Sequence, residues 1–101
     1  MCGFFVIFKK KKFKIDKKKF ITSAKLISHR GPDKTGEYFD DIFYSKFYRL
    51  SILDKSQKGM QPMFSKDKRY LLLFNGEIYN SPILRKKIDS KIVSKNSDTE
   101  V

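Results

Sequence analysis

Two short runs of large apolar residues constrain the fold of this chain most. Met1–Phe8 reads MCGFFVIF and Tyr70–Phe74 reads YLLLF, with charged or turn-forming residues close to each run. Apolar runs of this length are typical of buried strands, because a helix needs a longer amphipathic stretch. Asn75-Gly76 directly follows the second run and predicts a turn there.

A helix is predicted between the two runs. Within Asp16–Ser28, the apolar residues Phe20, Ala24 and Ile27 recur at intervals of four and three, which places them on one helical face. The next five residues, HRGPD (His29–Asp33), end this helix. Their glycine is predicted to adopt a left-handed cap, and proline cannot continue the helix.

The remaining elements follow from composition and turn residues. Ile42–Leu53 is rich in β-branched and aromatic residues and predicts one strand or two, whereas Lys55–Pro62 reads as a loop. Pro82 suits the first turn of a short helix to about Ile88. Ile92-Val93 predicts a further short strand. The chain therefore mixes strands with helices.

Composition excludes several classes of protein. The 101 residues are 40% hydrophobic, which is too apolar for a disordered chain and enough for one domain. One Cys and one His exclude an internal disulfide framework and argue against a zinc site. No apolar run approaches the ~18 residues of a membrane span. We expect one soluble domain without metal or membrane, in a reducing compartment such as the cytoplasm.

The net charge of +12 is concentrated in one segment. Lys9–Lys19 carries eight Lys and one Asp, and a lysine cluster can bind phosphate backbones by releasing counterions. The cluster holds no Arg, however, and base readout and bidentate phosphate recognition favour Arg. A solvated lysine-rich surface is therefore the preferred interpretation, and a nucleic-acid-binding module is the weaker alternative.

Cys2 is a candidate nucleophile because it follows the initiator Met, which is normally removed before a small residue. Its thiol and free α-amine would then supply nucleophile and general base on one residue. The alternative is a small buried hydrophobe in a strand. Asn75 and Gly76 offer a side-chain amide and an exposed backbone N–H, which together can stabilise an oxyanion, although a plain turn is the commoner role of this pair.

Two charged residues could hold the ends of an amino acid. Arg49 lies among apolar residues in YRLSI and needs an anionic partner there. Asp98 lies in SDTE (Ser97–Glu100), a capping box that predicts a helix start, where a carboxylate is stable and can bind an ammonium group. An ordinary ion pair and an ordinary helix cap are the alternatives.

Taken together, the motifs resemble a known family. They are MCGF at the start, HRGPD, RLSILD (Arg49–Asp54), GMQPM (Gly59–Met63), FNGEIYN (Phe74–Asn80) and SDTE. Their order is that of class II glutamine amidotransferases, which are N-terminal-nucleophile hydrolases. HRGPD with GMQPM and NGEIYN is most similar to the glutaminase domain of glutamine-hydrolysing asparagine synthetase.

The resemblance implies a role for each matching residue. Cys2 resembles the nucleophile, and Asn75 with Gly76 resembles the oxyanion-hole pair. Arg49 resembles the residue that binds the glutamine carboxylate, with backbone neighbours Leu50, Ser51, Ile52 and Leu53. Glu77 and Asp98 resemble the residues that hold the α-amino end of the substrate.

The resemblance also implies a fold and a reaction. The family fold is an α+β, four-layer α-β-β-α sandwich with antiparallel sheets. Domains of this family hydrolyse glutamine without a cofactor. In the family's synthetases the ammonia passes to a synthetase domain that uses ATP and Mg. Because the domain continues past SDTE, we expect residues 1–101 to be its N-terminal part, poorly folded and inactive alone. A non-catalytic fragment that needs its missing half to fold is the alternative.

Overall fold

A computed structural model describes residues 1–10, 13–52, 57–88 and 98–101. Strands and helices are interspersed along the chain, and both sheets are antiparallel, which confirms the α+β prediction. The elements are β1 (Gly3–Phe8), α1 (Lys17–Ala24) with a 3-10 continuation (Lys25–Arg30), β2 (Lys34–Phe39), β3 (Phe43–Arg49), a 3-10 turn (Gln57–Gly59), β4 (Met63–Phe64), β5 (Leu71–Leu72) and α2 (Ser81–Arg85).

The main sheet has the strand order β1-β3-β2. Gly3 lies opposite Tyr48 in one ladder, and Lys34 lies opposite Arg49 in the other. The first predicted strand is confirmed, and the strand predicted from Ile42 is confirmed as β3. β2 was not predicted, because its sequence KTGEYF combines a Gly with charged residues and has few apolar positions.

Helix α1 packs on one face of the main sheet. Phe20 is 2% exposed, and its ring lies 5.3 to 5.7 Å from the rings of Phe5, Phe39 and Tyr44, one from each strand. Ala24 is also fully buried, so the predicted apolar stripe is confirmed at these positions. This aromatic cluster joins all three strands to the helix.

The ends of α1 follow local chemistry. The Asp16 carboxylate accepts hydrogen bonds from the Lys18 and Lys19 N–H groups at 2.8 and 3.2 Å, which caps the helix. The predicted left-handed cap at Gly31 is wrong, since its φ is −153°. Gly31 instead permits close approach of β3, because a Cβ there would overlap the Tyr48 carbonyl group.

A small hairpin, β4–β5, lies over the other face of the main sheet. The ring of Phe64 lies 5.2 Å from that of Tyr38, and the Gln61 carbonyl faces Gly36 so closely that a Cβ there would overlap it. The strand predicted over Tyr70–Phe74 is confirmed at Leu71–Leu72, but the prediction that the whole run is a buried strand is wrong. Only Leu71 and Leu72 pair, and Leu72 is 41% exposed because the hairpin is an outer layer.

The later part of the chain contains the short helix α2. Pro82 lies in the first turn of α2, as predicted, and the helix ends at Arg85, before Ile88. The predicted strand at Ile92-Val93 and the cap residue Ser97 lie outside the described residues, as does the start of the predicted Lys55–Pro62 loop. Among the helices of the described ranges, none has the length and apolarity needed to cross a membrane.

Candidate active site

Cys2 lies at the edge of the main sheet, directly before β1. Continuing the β1–β3 register by one residue places Cys2 opposite Arg49, the last residue of β3. The Leu50 N–H donates to Cys2 Sγ at 3.4 Å, and the thiol lies 3.6 Å from the Leu50 carbonyl oxygen, which it can donate to. Strand pairing therefore brings the thiol to the loop that follows β3, although 48 residues separate them along the chain.

Arg49 is a buried cation at the same strand end. Its exposed fraction is 5%, which is rare for a guanidinium and requires neighbours that satisfy its charge and donors. Gly59 lies against it, and a Cβ built at Gly59 would be 2.5 Å from Arg49 Nη2. The glycine therefore provides the space in which this side chain lies.

The loop after Arg49 is held by the HRGPD segment. The Asp33 carboxylate accepts a hydrogen bond from the Ser51 N–H at 2.7 Å, and the Asp33 N–H donates to the Arg49 carbonyl at 3.1 Å. The buried Ser51 Oγ has no hydrogen-bond partner among the described residues. Leu53, also predicted as a site residue, lies outside the described ranges.

The Asn75-Gly76-Glu77 segment follows β5 and is held on both sides. The Phe74 N–H donates to Gln61 Oε1 at 2.6 Å, immediately before the segment. The Ile78 N–H donates to Asp98 Oδ2 at 2.8 Å, immediately after it. Side chains from two other parts of the chain thus fix the backbone on each side of this segment.

Nine of the ten residues predicted for the site line a single cleft of about 110 Å³. The tenth is Leu53. The cleft brings a thiol, a guanidinium, an amide with a backbone N–H, and two carboxylates around one small space. This set can hold an α-amino acid by its charged ends and present a side-chain carbonyl to a nucleophile. The nine residues are Cys2, Arg49, Leu50, Ser51, Ile52, Asn75, Gly76, Glu77 and Asp98.

Several supporting residues were not predicted for the site. Arg30 donates through Nε to the Cys2 carbonyl at 3.1 Å and lies against Gly3, where a Cβ would be 2.9 Å from Arg30 Cδ. Asp33 and Gln61 support the two sides of the cleft as described above. All three lie in motifs that carried the family resemblance. Their place in those motifs was the only sign in the sequence that they belong near the site.

Comparison with known proteins finds matches that extend over the whole chain. The profile of a glutamine amidotransferase domain matches residues 1–101. A glutamine-hydrolyzing asparagine synthetase 1 from Bacillus subtilis (strain 168) is 41% identical over 106 residues, which cover 100% of this chain and 17% of the relative. Asparagine synthetase B (glutamine-hydrolyzing) from Escherichia coli (strain K12) is 37% identical over 103 residues, covering 100% of this chain and 18% of the relative.

A plant protein shows the same relationship. A glutamine-hydrolyzing asparagine synthetase 2 from Arabidopsis thaliana is 39% identical over 83 residues, which cover 82% of this chain and 14% of the relative. The chain therefore spans less than a fifth of the length of these curated relatives.

Proposed function

The chain belongs to the glutamine amidotransferase family, and from that premise we propose that it hydrolyses the side-chain amide of glutamine to glutamate and ammonia. One observation carries the proposal. A single cleft collects the Cys2 thiol, the buried Arg49 and the Asn75-Gly76-Glu77 segment, together with Asp98. The reaction needs these groups close together, and they come from four separate parts of the chain.

The proposed reaction begins at Cys2. With Met1 removed, the α-amine accepts the thiol proton while Sγ attacks the side-chain carbonyl carbon of glutamine. The Asn75 side-chain amide and the Gly76 N–H donate to the oxyanion of the tetrahedral intermediate. The C–N bond then breaks as the α-ammonium gives its proton to the departing amide nitrogen, which leaves as ammonia. Water hydrolyses the thioester and releases glutamate, with no metal or organic cofactor.

The ends of glutamine would bind in the rest of the cleft. Arg49 would bind the α-carboxylate, since a guanidinium offers a planar pair of donors that Lys lacks. Glu77 and Asp98 would bind the α-ammonium group, with the backbone of Leu50–Leu53 alongside. Burial of Arg49 supports this arrangement, because a buried cation attracts a carboxylate more strongly than an exposed one.

We infer a wider role from the names of the relatives. We place residues 1–101 in the N-terminal part of a glutaminase domain in a cytoplasmic enzyme. Its ammonia would pass to aspartate activated by ATP and Mg in a synthetase domain. Support for this role comes from the identity of 41% and 37% to two glutamine-hydrolyzing asparagine synthetases over the whole of this chain.

The test is glutamate release from glutamine by the native polypeptide that carries this sequence. We expect turnover in the wild type and only background in Cys2→Ala, because that variant lacks the nucleophile. Phe13→Ala is the matched control, since Phe13 is exposed and outside the cleft. Undiminished glutamate release from Cys2→Ala would refute the proposal.

Measuring the intact mass of the native protein tests whether the Cys2 α-amine is free to act as the general base. We expect a chain that begins at Cys2, because a retained Met1 would convert the α-amine into an amide without basicity. A mass showing Met1 on every active molecule would contradict the proposed mechanism.

A further inference from the structure

We propose that Gln61 is a positioning residue for the oxyanion-binding pair Asn75-Gly76. Its side-chain oxygen holds the Phe74 N–H and so sets the position of the backbone from which that pair projects. The inference rests on the proposed glutaminase function and adds to it a residue that acts on Asn75-Gly76 through the Phe74 N–H.

The first support is the hydrogen bond itself. Gln61 is 5% exposed, and its Oε1 accepts from the Phe74 N–H at 2.6 Å. Burying an amide side chain is costly unless it is hydrogen-bonded, so a buried Gln at this position indicates a bond that is used. The bond ends one residue before Asn75.

The second support is the register of the β4–β5 hairpin. Pairing runs from Phe64 opposite Leu71 to Met63 opposite Leu72 and then stops. Continued by two residues, the same register places Gln61 opposite Phe74. Pro62 lies between and has no N–H to donate, so the backbone ladder is interrupted there.

The third support is the direction of the Gln61 backbone. Its carbonyl group faces Gly36 in β2 so closely that no Cβ would fit there. That carbonyl is therefore turned towards the main sheet, and the side-chain oxygen takes the place of a ladder acceptor for Phe74. Gln61 thus links the main sheet to the strand that leads into Asn75.

This link predicts a specific kinetic effect. Without it, the Phe74 N–H loses its partner and Asn75-Gly76 can move relative to Cys2. Misplacement of an oxyanion donor weakens stabilisation of the transition state, and a displacement near 1 Å costs up to about 100-fold in rate. Arg49 lies on the main sheet, and the hydrogen bond from the Ile78 N–H to Asp98 still holds the Glu77 end of the segment, so substrate binding is largely preserved.

The experiment compares Gln61→Leu with Gln61→Glu in the native polypeptide, using glutamine hydrolysis. We expect Gln61→Leu to lower kcat by about tenfold to 100-fold with KM within about twofold. Gln61→Glu keeps an acceptor oxygen at the same distance from the backbone and should retain most of kcat. Gln57→Leu is the matched control, because it makes the same change at an exposed position outside the cleft.

Two further readouts separate positioning from general damage. Alkylation of Cys2 by iodoacetamide forms no oxyanion, so its rate should be unchanged in Gln61→Leu. Hydrogen exchange at the Phe74 amide should be faster in Gln61→Leu and close to wild type in Gln61→Glu, whether or not the protein turns over glutamine. Amides of β3 should exchange as in the wild type in every variant.

Unchanged kcat in Gln61→Leu would overturn the inference while leaving the proposed function intact. A parallel loss of kcat, glutamine binding and β3 protection would also overturn it, since the role would then be structural. Absence of glutamine hydrolysis in the wild type would overturn both proposals, and the Phe74 exchange data would then describe only a structural bond.

Discussion

The main sheet and the β4–β5 hairpin support the two sides of the cleft in different ways. The main sheet has strands of six or seven residues, carries α1 on one face and contributes Cys2 and Arg49 to the cleft. The hairpin pairs only two residues on each strand, is largely exposed and leads into Asn75-Gly76. Cys2 and Arg49 thus lie on a packed scaffold, whereas the Asn75-Gly76 segment depends on a few individual hydrogen bonds.

We therefore expect that stability and the geometry of the cleft can be changed separately in this protein. Substitutions under the main sheet remove buried aromatic area and should lower the free energy of unfolding. Substitutions that loosen the hairpin segment should change geometry in the cleft at small cost in stability, because little area is buried there. The predictions below test that separation, beginning with the largest expected effect.

Phe20→Ala should lower the free energy of unfolding by about 3–5 kcal/mol, since it empties the aromatic cluster between α1 and all three strands. Leu72→Ala in the hairpin should cost about 1 kcal/mol or less, because Leu72 is 41% exposed. Urea denaturation of both variants measures the contrast. Equal losses would show that the hairpin is packed as firmly as the main sheet.

Arg49→Lys should raise KM for glutamine about tenfold while kcat changes less. Lys retains the charge but cannot offer the planar pair of donors to a carboxylate. Steady-state kinetics with glutamine measures the split, and Arg69→Lys, at an exposed residue outside the cleft, is the control. A KM equal to that of the wild type would limit Arg49 to a structural role in the main sheet.

Gly59→Ala should raise KM for glutamine by about two- to fivefold. An added Cβ would lie 2.5 Å from Arg49 Nη2, the far end of a flexible side chain that can shift, so we expect displacement without unfolding. Gln57→Ala in the same turn provides the control for KM and for the melting temperature. A lowered melting temperature with unchanged KM would contradict this account.

The smallest expected effects are those of pH on the two hairpin turns. Hydrogen bonds from the Ile42 and Phe43 N–H groups, aided by the Tyr38 hydroxyl and the charge of Lys9, hold the pKa of Asp40 below its usual value. In the β4–β5 turn, the Ser65 hydroxyl and then the Arg69 N–H lower the pKa of Asp67.

A lowered pKa in the folded state means that the unfolded chain binds protons first as pH falls. The stability contributed by Asp40 and Asp67 is therefore complete above the unfolded pKa of about 4 and is lost as pH drops through the folded pKa. NMR titration of both carboxyl groups measures the pKa values. Asp40→Asn and Asp67→Asn should flatten the dependence of stability on pH in this acidic range, and a carboxyl that titrates above the usual Asp value would contradict the prediction.

Much of the local structure could be predicted because it depends on neighbouring residues. The strand at the start of the chain, the stripe of Phe20 and Ala24 on α1, and Pro82 in the first turn of α2 follow from periodicity and backbone chemistry. The errors at Gly31 and at Tyr70–Phe74 have a common cause. Local patterns cannot show that β3 will approach Gly31, or that the second apolar run will lie in an outer layer.

The chemical groups available for a site could be identified from the residues alone: a thiol at position 2, an Asn-Gly pair after an apolar run, and an Arg among apolar residues. The contacts that support these groups depend on how the chain folds. Arg30 donates to the Cys2 carbonyl, Asp33 accepts from the Ser51 N–H, and Gln61 accepts from the Phe74 N–H. Side-chain chemistry is a property of each residue, whereas these contacts join residues 13 to 28 positions apart. They exist only because pairing of the strands and packing of the hairpin on the main sheet bring distant segments of the chain together.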